Sequence, residues 1–167
     1  MPVEKGVALS RALMSPSRTP KREKNTMSSL TSAASTETAK SYVRDYDAVV
    51  EVMNGYNDGV RTGHSAAMKR AFHENCMFYG YFDGKLLAGP IQMLFDWVDG
   101  NGPSRDMQVR FASIDILNTI AVVRLEMENV SGKLAGDSGS RVSDLFQLIK
   151  IDGKWLISQK SFHWHTS

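Results

Sequence analysis

An α+β domain, with three N-terminal helices packed on one face of a mainly antiparallel sheet, is the fold class that the sequence predicts for residues 41–167. Three observations predict it. Apolar residues recur at helical spacing after Tyr42, and they alternate at strand spacing after Met107. The two periodicities are also segregated, helices first and long strands last, which favours helices on one side of a sheet over a wound parallel one.

Each element follows from local signals. Tyr46, Val49, Val50, Met53, Tyr56 and Val60 form one apolar stripe, predicting a first helix that ends near Gly59 and Gly63. Ser65 is an N-cap candidate for a short second helix carrying Ala67, Met68, Ala71 and Phe72. Residues 77–82 read as an aromatic-rich strand, Asp83-Gly84 as a hairpin turn and residues 85–88 as the return strand. Gly89-Pro90 opens a third helix reaching about Val98, with proline at the first position, where its missing N–H costs nothing. After a loop at residues 100–104, two alternating pairs remain: 107–116 with 119–129 about Leu117-Asn118, and 142–151 with 154–164 about Asp152-Gly153. The order is α-α-β-β-α-β-β-β-β.

Composition excludes several function classes. The 167 residues are 42% hydrophobic and 23% charged, which suits one globular core. The net charge of +2 is unevenly spread, since residues 1–40 hold seven Lys/Arg against three Asp/Glu and leave thirteen against fifteen for 41–167. A nearly neutral domain lacks the basic face that nucleic acid requires, so no nucleic-acid partner is expected. Residues 1–40 are rich in Ser, Thr, Pro and Lys/Arg and contain no aromatic residue. Such a segment buries too little to offset its ordering entropy and reads as a disordered tail. Arg11, Arg18, Lys21, Arg22 and Lys24 would also suit an organelle transit peptide, against which stand Glu4 and Glu23, and a start at Met27 is a further alternative. No run approaches the roughly 18 to 20 apolar residues of a membrane span, so a cytoplasmic protein with no membrane partner is expected. Cys76 is alone, which excludes an internal disulfide and suits a reducing compartment; it reads as a small buried hydrophobe rather than a nucleophile.

Strand alternation predicts which residues face the helices. A two-residue turn at Asp152-Gly153 would pair Leu148 with Ile157, Phe146 with Gln159, Asp144 with Ser161 and Val142 with His163. The inner face would then carry Trp155, Ile157, Phe146 and Leu148 near the turn and a polar ring of Asp144, Gln159, Ser161 and His163 further out. The same construction about Leu117-Asn118 pairs Ala112 with Val123, Ile114 with Ala121, Arg110 with Leu125 and Gln108 with Met127, placing Arg110 and Gln108 in that interior. An unpaired ionised Asp144 in a dry core would cost several kcal/mol, so Arg110, His163 or water in an open cavity is expected to compensate it. The expected interior is therefore a pocket for a small apolar-to-polar ligand, with Tyr56, Tyr79, Tyr81 and Trp97 as further walls.

Asp144, His163 and Tyr56 are the candidate catalytic set. A carboxylate beside an imidazole raises its pKa into the useful range, and a tyrosine can polarise a carbonyl or hydroxyl oxygen. The alternative is that Asp144 anchors Arg110 or His163 and only fixes the sheet. His163-x-His165 sets two imidazoles on one strand face, with His73 as a third ligand to consider, but a solvated strand end accounts for them as well, and neither metal nor cofactor is expected. Gly132, Gly136 and Gly139 lie between two strands without opening a helix, so they form a flexible hairpin loop near the pocket mouth rather than a phosphate loop. The outer face would combine Val109, Phe111, Ile120 and Val122 with Arg124, Glu126, Leu145, Phe162 and Trp164, apolar enough to expect a homodimer through the sheet.

Phe72-His73 after a short helix, Gly89-Pro90 before the third, and the ending Asp144, Leu148, Lys150, Asp152-Gly153-Lys154-Trp155, Ile157, Lys160, Phe162-His163 together resemble the putative lumazine-binding (SnoaL-like) branch of the nuclear transport factor 2-like superfamily. The resemblance spans residues 42–165. It implies a curved sheet that, with the helices, forms a cone around a cavity. It implies no single activity, because that superfamily hosts isomerases, dehydratases, epoxide hydrolases, polyketide cyclases and non-catalytic binding or transport modules. The leading reading is a small-molecule-binding pocket protein with its ligand unassigned. One alternative is a cofactor-free lyase, isomerase or cyclase using Asp144, His163 and Tyr56, with Arg110 steadying charge. The other is a protein-interaction module acting through the outer sheet face, with the cone filled.

Overall fold

The computed structural model describes the backbone of residues 27–165 and the side chains of residues 42–165. Residues 1–26 of the expected tail lie outside the described residues. The elements are α1 (Met27–Thr62), α2 (Ser65–Met68), a 3-10 turn (Lys69–Ala71), β1 (Phe72–Phe82), β2 (Lys85–Pro90), α3 (Gln92–Asn101), β3 (Gln108–Leu117), β4 (Ile120–Gly132), β5 (Gly136–Ile151) and β6 (Lys154–His165). The α+β order matches the expectation, with some boundaries moved. Helix α1 begins upstream of Tyr42, and its buried stripe is Val49, Met53, Tyr56 and Val60, while Tyr46 is exposed. Pro90 ends β2 instead of opening α3, because the Ile91 N–H bonds to the Cys76 carbonyl and Ile91 takes the N-cap position.

The six strands form one open, curved sheet in the order β2-β1-β6-β5-β4-β3. Every pairing is antiparallel except that of β1 with β6, which is parallel. Its concave face packs on α1 and α3, and Val123, Leu125, Phe146, Leu148, Trp155 and Ile157 fill the core there. Asp152 and Gly153 both take positive φ, 49° and 79°, the signature of a tight hairpin turn whose twist matches that of the strands.

Two bulges set which side chains enter the core. In the β5–β6 hairpin the expected pairing holds near the turn, with Leu148 opposite Ile157. Ser158 is then an extra residue, its hydroxyl donating to the Gln147 carbonyl at 3.1 Å. Beyond it Phe146 faces Lys160, Asp144 faces Phe162, and Val142 faces Trp164. One inserted residue reverses the inward and outward sets of everything after it. Lys160, Phe162 and Trp164 thus turn inward, and Gln159, Ser161 and His163 turn outward, the opposite of the expected register.

In the β3–β4 hairpin the turn is Asn118-Thr119, with Leu117 opposite Ile120 and Ile114 opposite Val123. A bulge between Phe111 and Ser113 then turns Val109 and Phe111 towards the core and leaves Gln108 and Arg110 exposed. The outer face therefore lacks Val109, Phe111, Phe162 and Trp164, which were expected on it, and keeps Ile120, Val122 and Leu145. The expected loop at Gly132–Gly139 is mostly ladder: Gly132 pairs with Gly136, and the turn is clasped by Asn101 at the end of α3. The Asn101 Oδ1 accepts the Leu134 and Ala135 N–H groups at 2.9 and 2.8 Å, and its amide donates to the Ser131 carbonyl at 2.9 Å.

Candidate functional site

The inward parity of β5 carries Asp144 into the middle of the sheet, between Leu125 of β4 and Phe162 of β6. It is 0% exposed, so its charge needs partners within the protein. The bulge at Ser158 supplies one by bringing Lys160, 3% exposed, diagonally across the hairpin, where its Nζ donates to Asp144 Oδ1 at 2.6 Å. The inner stripe of α1 supplies the other, the Tyr56 hydroxyl donating to Oδ2 at 2.8 Å. Each carboxylate oxygen thus has a donor. The compensation expected from Arg110, His163 or water comes instead from a lysine and a tyrosine.

The Lys160 ammonium is surrounded by aromatic faces: Nζ lies 4.7 Å from the ring centre of Phe162 and 5.5 Å from those of Phe78 and Phe146. These faces attract a cation, but they replace water poorly. Burial pushes the Lys160 amine below the usual lysine range, with Asp144 opposing. Burial likewise pushes the Asp144 carboxyl up, with Lys160 opposing. The two affinities converge, which lowers the cost of moving a proton from Nζ to Oδ1. Tyr56 is held well above the usual phenol range, by burial first and then by the Asp144 charge and hydrogen bond, so it stays protonated. Burial pushes the Cys76 thiol up to about 12 despite the nearby Lys160.

Lys160 and Tyr56 open onto a cavity of about 240 Å³ inside the cone. Its walls are otherwise apolar or aromatic, among them Phe78, Phe82, Leu94, Trp97, Phe162 and Trp164. The rings brace one another, with Phe78 stacked on Phe162 at 4.7 Å and Trp97 edge-on to Trp164 at 5.8 Å. Met93, 38% exposed, lies at the rim. Asp144 does not line the space. It stands behind Lys160 and Tyr56 and acts on the cavity through them.

The candidate residues separate accordingly. Tyr56 and Asp144 are in contact, Trp97 is in the cavity wall, and Phe146 lies beneath Tyr56 with ring centres 4.9 Å apart. His163 is not with them: it pairs with Ser143 on the outer face, exposed, with its ring 4.8 Å from that of His165. Gln159 and Ser161 share that outer face, as do the exposed Tyr79 and Tyr81 of β1, and Gln108 and Arg110 are exposed on β3. His165 bonds Ser143, and His73 accepts the Asn75 N–H, so the three histidines do not converge, and no metal-ligating cluster occurs among the described residues. Lys160 was missed. Its signal was present in the sequence, because the apolar parity of β6 changes from Trp155 and Ile157 to Phe162 and Trp164, as a bulge requires.

Among known families, the one described as "Putative lumazine-binding" matches residues 44–163. Aldolase FrzH from Cladobotryum sp is 32% identical over 119 residues, covering 71% of this chain and 90% of that protein. Two crystal structures of NTF2-like proteins of unknown function share the fold. The one from Shewanella baltica OS155 is 38% identical with a TM-score of 0.68, covering 75% of this chain and 98% of the other. The one from Methylobacillus flagellatus KT is 40% identical with a TM-score of 0.67, covering 74% and 94%.

Proposed function

The chain belongs to the putative lumazine-binding family of the nuclear transport factor 2-like superfamily, and from that premise we propose that it is an enzyme acting on a small, largely apolar carbonyl compound held inside the cone. The observation that carries this reading is the Tyr56–Asp144–Lys160 chain at the end of an otherwise apolar cavity. A buried ion pair adds little stability over well-packed apolar residues of similar volume, so its position against empty space points to chemistry. The cavity offers an ammonium and a phenol side by side, which suits one oxygen acceptor on an apolar body. With that oxygen against Lys160 and Tyr56, charge developing on it is stabilised and the adjacent C–H becomes acidic. Formation or cleavage of a carbon–carbon bond next to a carbonyl needs this activation, in keeping with the name aldolase carried by FrzH. A lumazine ring, with carbonyls and ring nitrogens around most of its edge, would leave many of them unpaired against these walls.

The test uses 4-phenylbutan-2-one and, as its hydrocarbon counterpart, butylbenzene. Binding is read by quenching of Trp97 and Trp164, and activation by deuterium uptake at the ketone's α-carbons in heavy water. The expected result is tighter binding of the ketone and catalysed exchange that slows in Tyr56→Phe. Equal binding of the two compounds with no exchange would overturn the proposal.

A further inference from the structure

We infer that Lys160 is a covalent site: its Nζ forms an imine with the carbonyl carbon of the apolar aldehyde or ketone bound in the cavity. This rests on the carbonyl reading above and deepens it. Lys160 lines the cavity while being almost wholly buried, so a carbonyl placed there meets the amine without crossing bulk water. Among the described residues its hydrogen-bond acceptor is Asp144 Oδ1 at 2.6 Å, and the rings of Phe78, Phe146 and Phe162 surround the rest of the head group. Such surroundings disfavour the ammonium, free the nitrogen lone pair and slow hydrolysis of an imine once formed. A lysine serving only as a counter-ion would need no access to the cavity.

The geometry supplies every proton the step requires. Lys160 passes one proton to Asp144, and the neutral amine adds to the carbonyl carbon while a nitrogen proton moves to the oxygen, giving a carbinolamine. Asp144, directly or through the Tyr56 hydroxyl that shares its carboxylate, returns the first proton to that new hydroxyl, which leaves as water. The nitrogen lone pair closes the C=N bond, leaving a protonated imine paired with the Asp144 carboxylate. The sum is ammonium plus carbonyl giving iminium plus one water, with no change of oxidation state. The other nearby nucleophile, Cys76, is held as the thiol and does not compete.

The purified full-length protein is incubated with 4-phenylbutan-2-one and sodium cyanoborohydride near neutral pH, digested, and its peptides mapped by mass spectrometry. We expect reductive labelling at Lys160 at least about tenfold above that at the exposed Lys85, Lys133 and Lys154. Lys160→Arg, which keeps the cation but cannot form an imine, should lose the label and the α-carbon exchange. Quenching by the ketone in the wild-type protein with no label on Lys160 would overturn the imine and leave the carbonyl-binding reading standing. Absence of both quenching and label would overturn the two together. The wild-type labelling decides the matter even if the arginine variant fails to fold.

Discussion

Replacing Lys160 with methionine removes the ammonium but keeps the length of the side chain. Asp144, 0% exposed, then retains, among the described residues, the Tyr56 hydroxyl alone as a side-chain donor. Breaking a buried ion pair from one side leaves an uncompensated charge and costs about 3–5 kcal/mol at neutral pH, a large share of a typical stability of about 5–15 kcal/mol. The loss should depend on pH. In the wild-type protein burial already raises the Asp144 carboxyl, with Lys160 opposing, so without Lys160 it rises further. Between the unfolded aspartate value of roughly 3.9 and that raised folded value, the native state holds a proton that the unfolded state has released. Stability of the variant therefore falls as pH rises through the window, at about 1.4 kcal/mol per pH unit for one proton. Urea denaturation followed by tryptophan fluorescence at pH 4.5 and pH 7 should show the deficit shrinking at the lower pH. The double variant Asp144→Leu/Lys160→Met should recover most of the loss, because apolar residues can replace a buried pair at little cost. A single-variant deficit under about 1 kcal/mol, equal at both pH values, would refute the view that the pair is desolvated and mutually dependent.

Deletion of Ser158 and Gln159 together should abolish folding, since it turns Lys160, Phe162 and Trp164 outward, whereas deletion of Ser158 alone, which removes the extra residue and leaves Lys160 opposite Phe146, should still give a folded protein. Circular dichroism and urea midpoints compare the two. Cys76, buried and with its thiol pushed up to about 12, should react with an aromatic disulfide reagent at neutral pH only as fast as the protein opens, and readily in denaturant.

Much of the fold was legible because periodicity and turn chemistry are local. The 3.6-residue stripe through Val49, Met53, Tyr56 and Val60, the positive-φ turn at Asp152-Gly153 and the alternation of Ala121, Val123, Leu125 and Met127 each state their structure within a few residues. They determine an α+β order, a helix-facing side for most strands, and an inward Asp144 that must find a partner.

Which residues meet across the cone is set by the pairing of strands far apart in the chain. An extra residue in a strand costs the sequence nothing visible except a change in apolar parity, yet it exchanges the two faces beyond it. The bulge at Ser158 replaced Gln159, Ser161 and His163 by Lys160, Phe162 and Trp164, and the bulge after Phe111 removed Arg110 and Gln108 from the interior. The aspartate's need for a counter-charge could be read from one strand. The lysine that meets it lies on another strand, and the tyrosine comes from a helix 88 residues away in sequence. Side-chain direction is a property of pairing between strands, and no single strand carries that information.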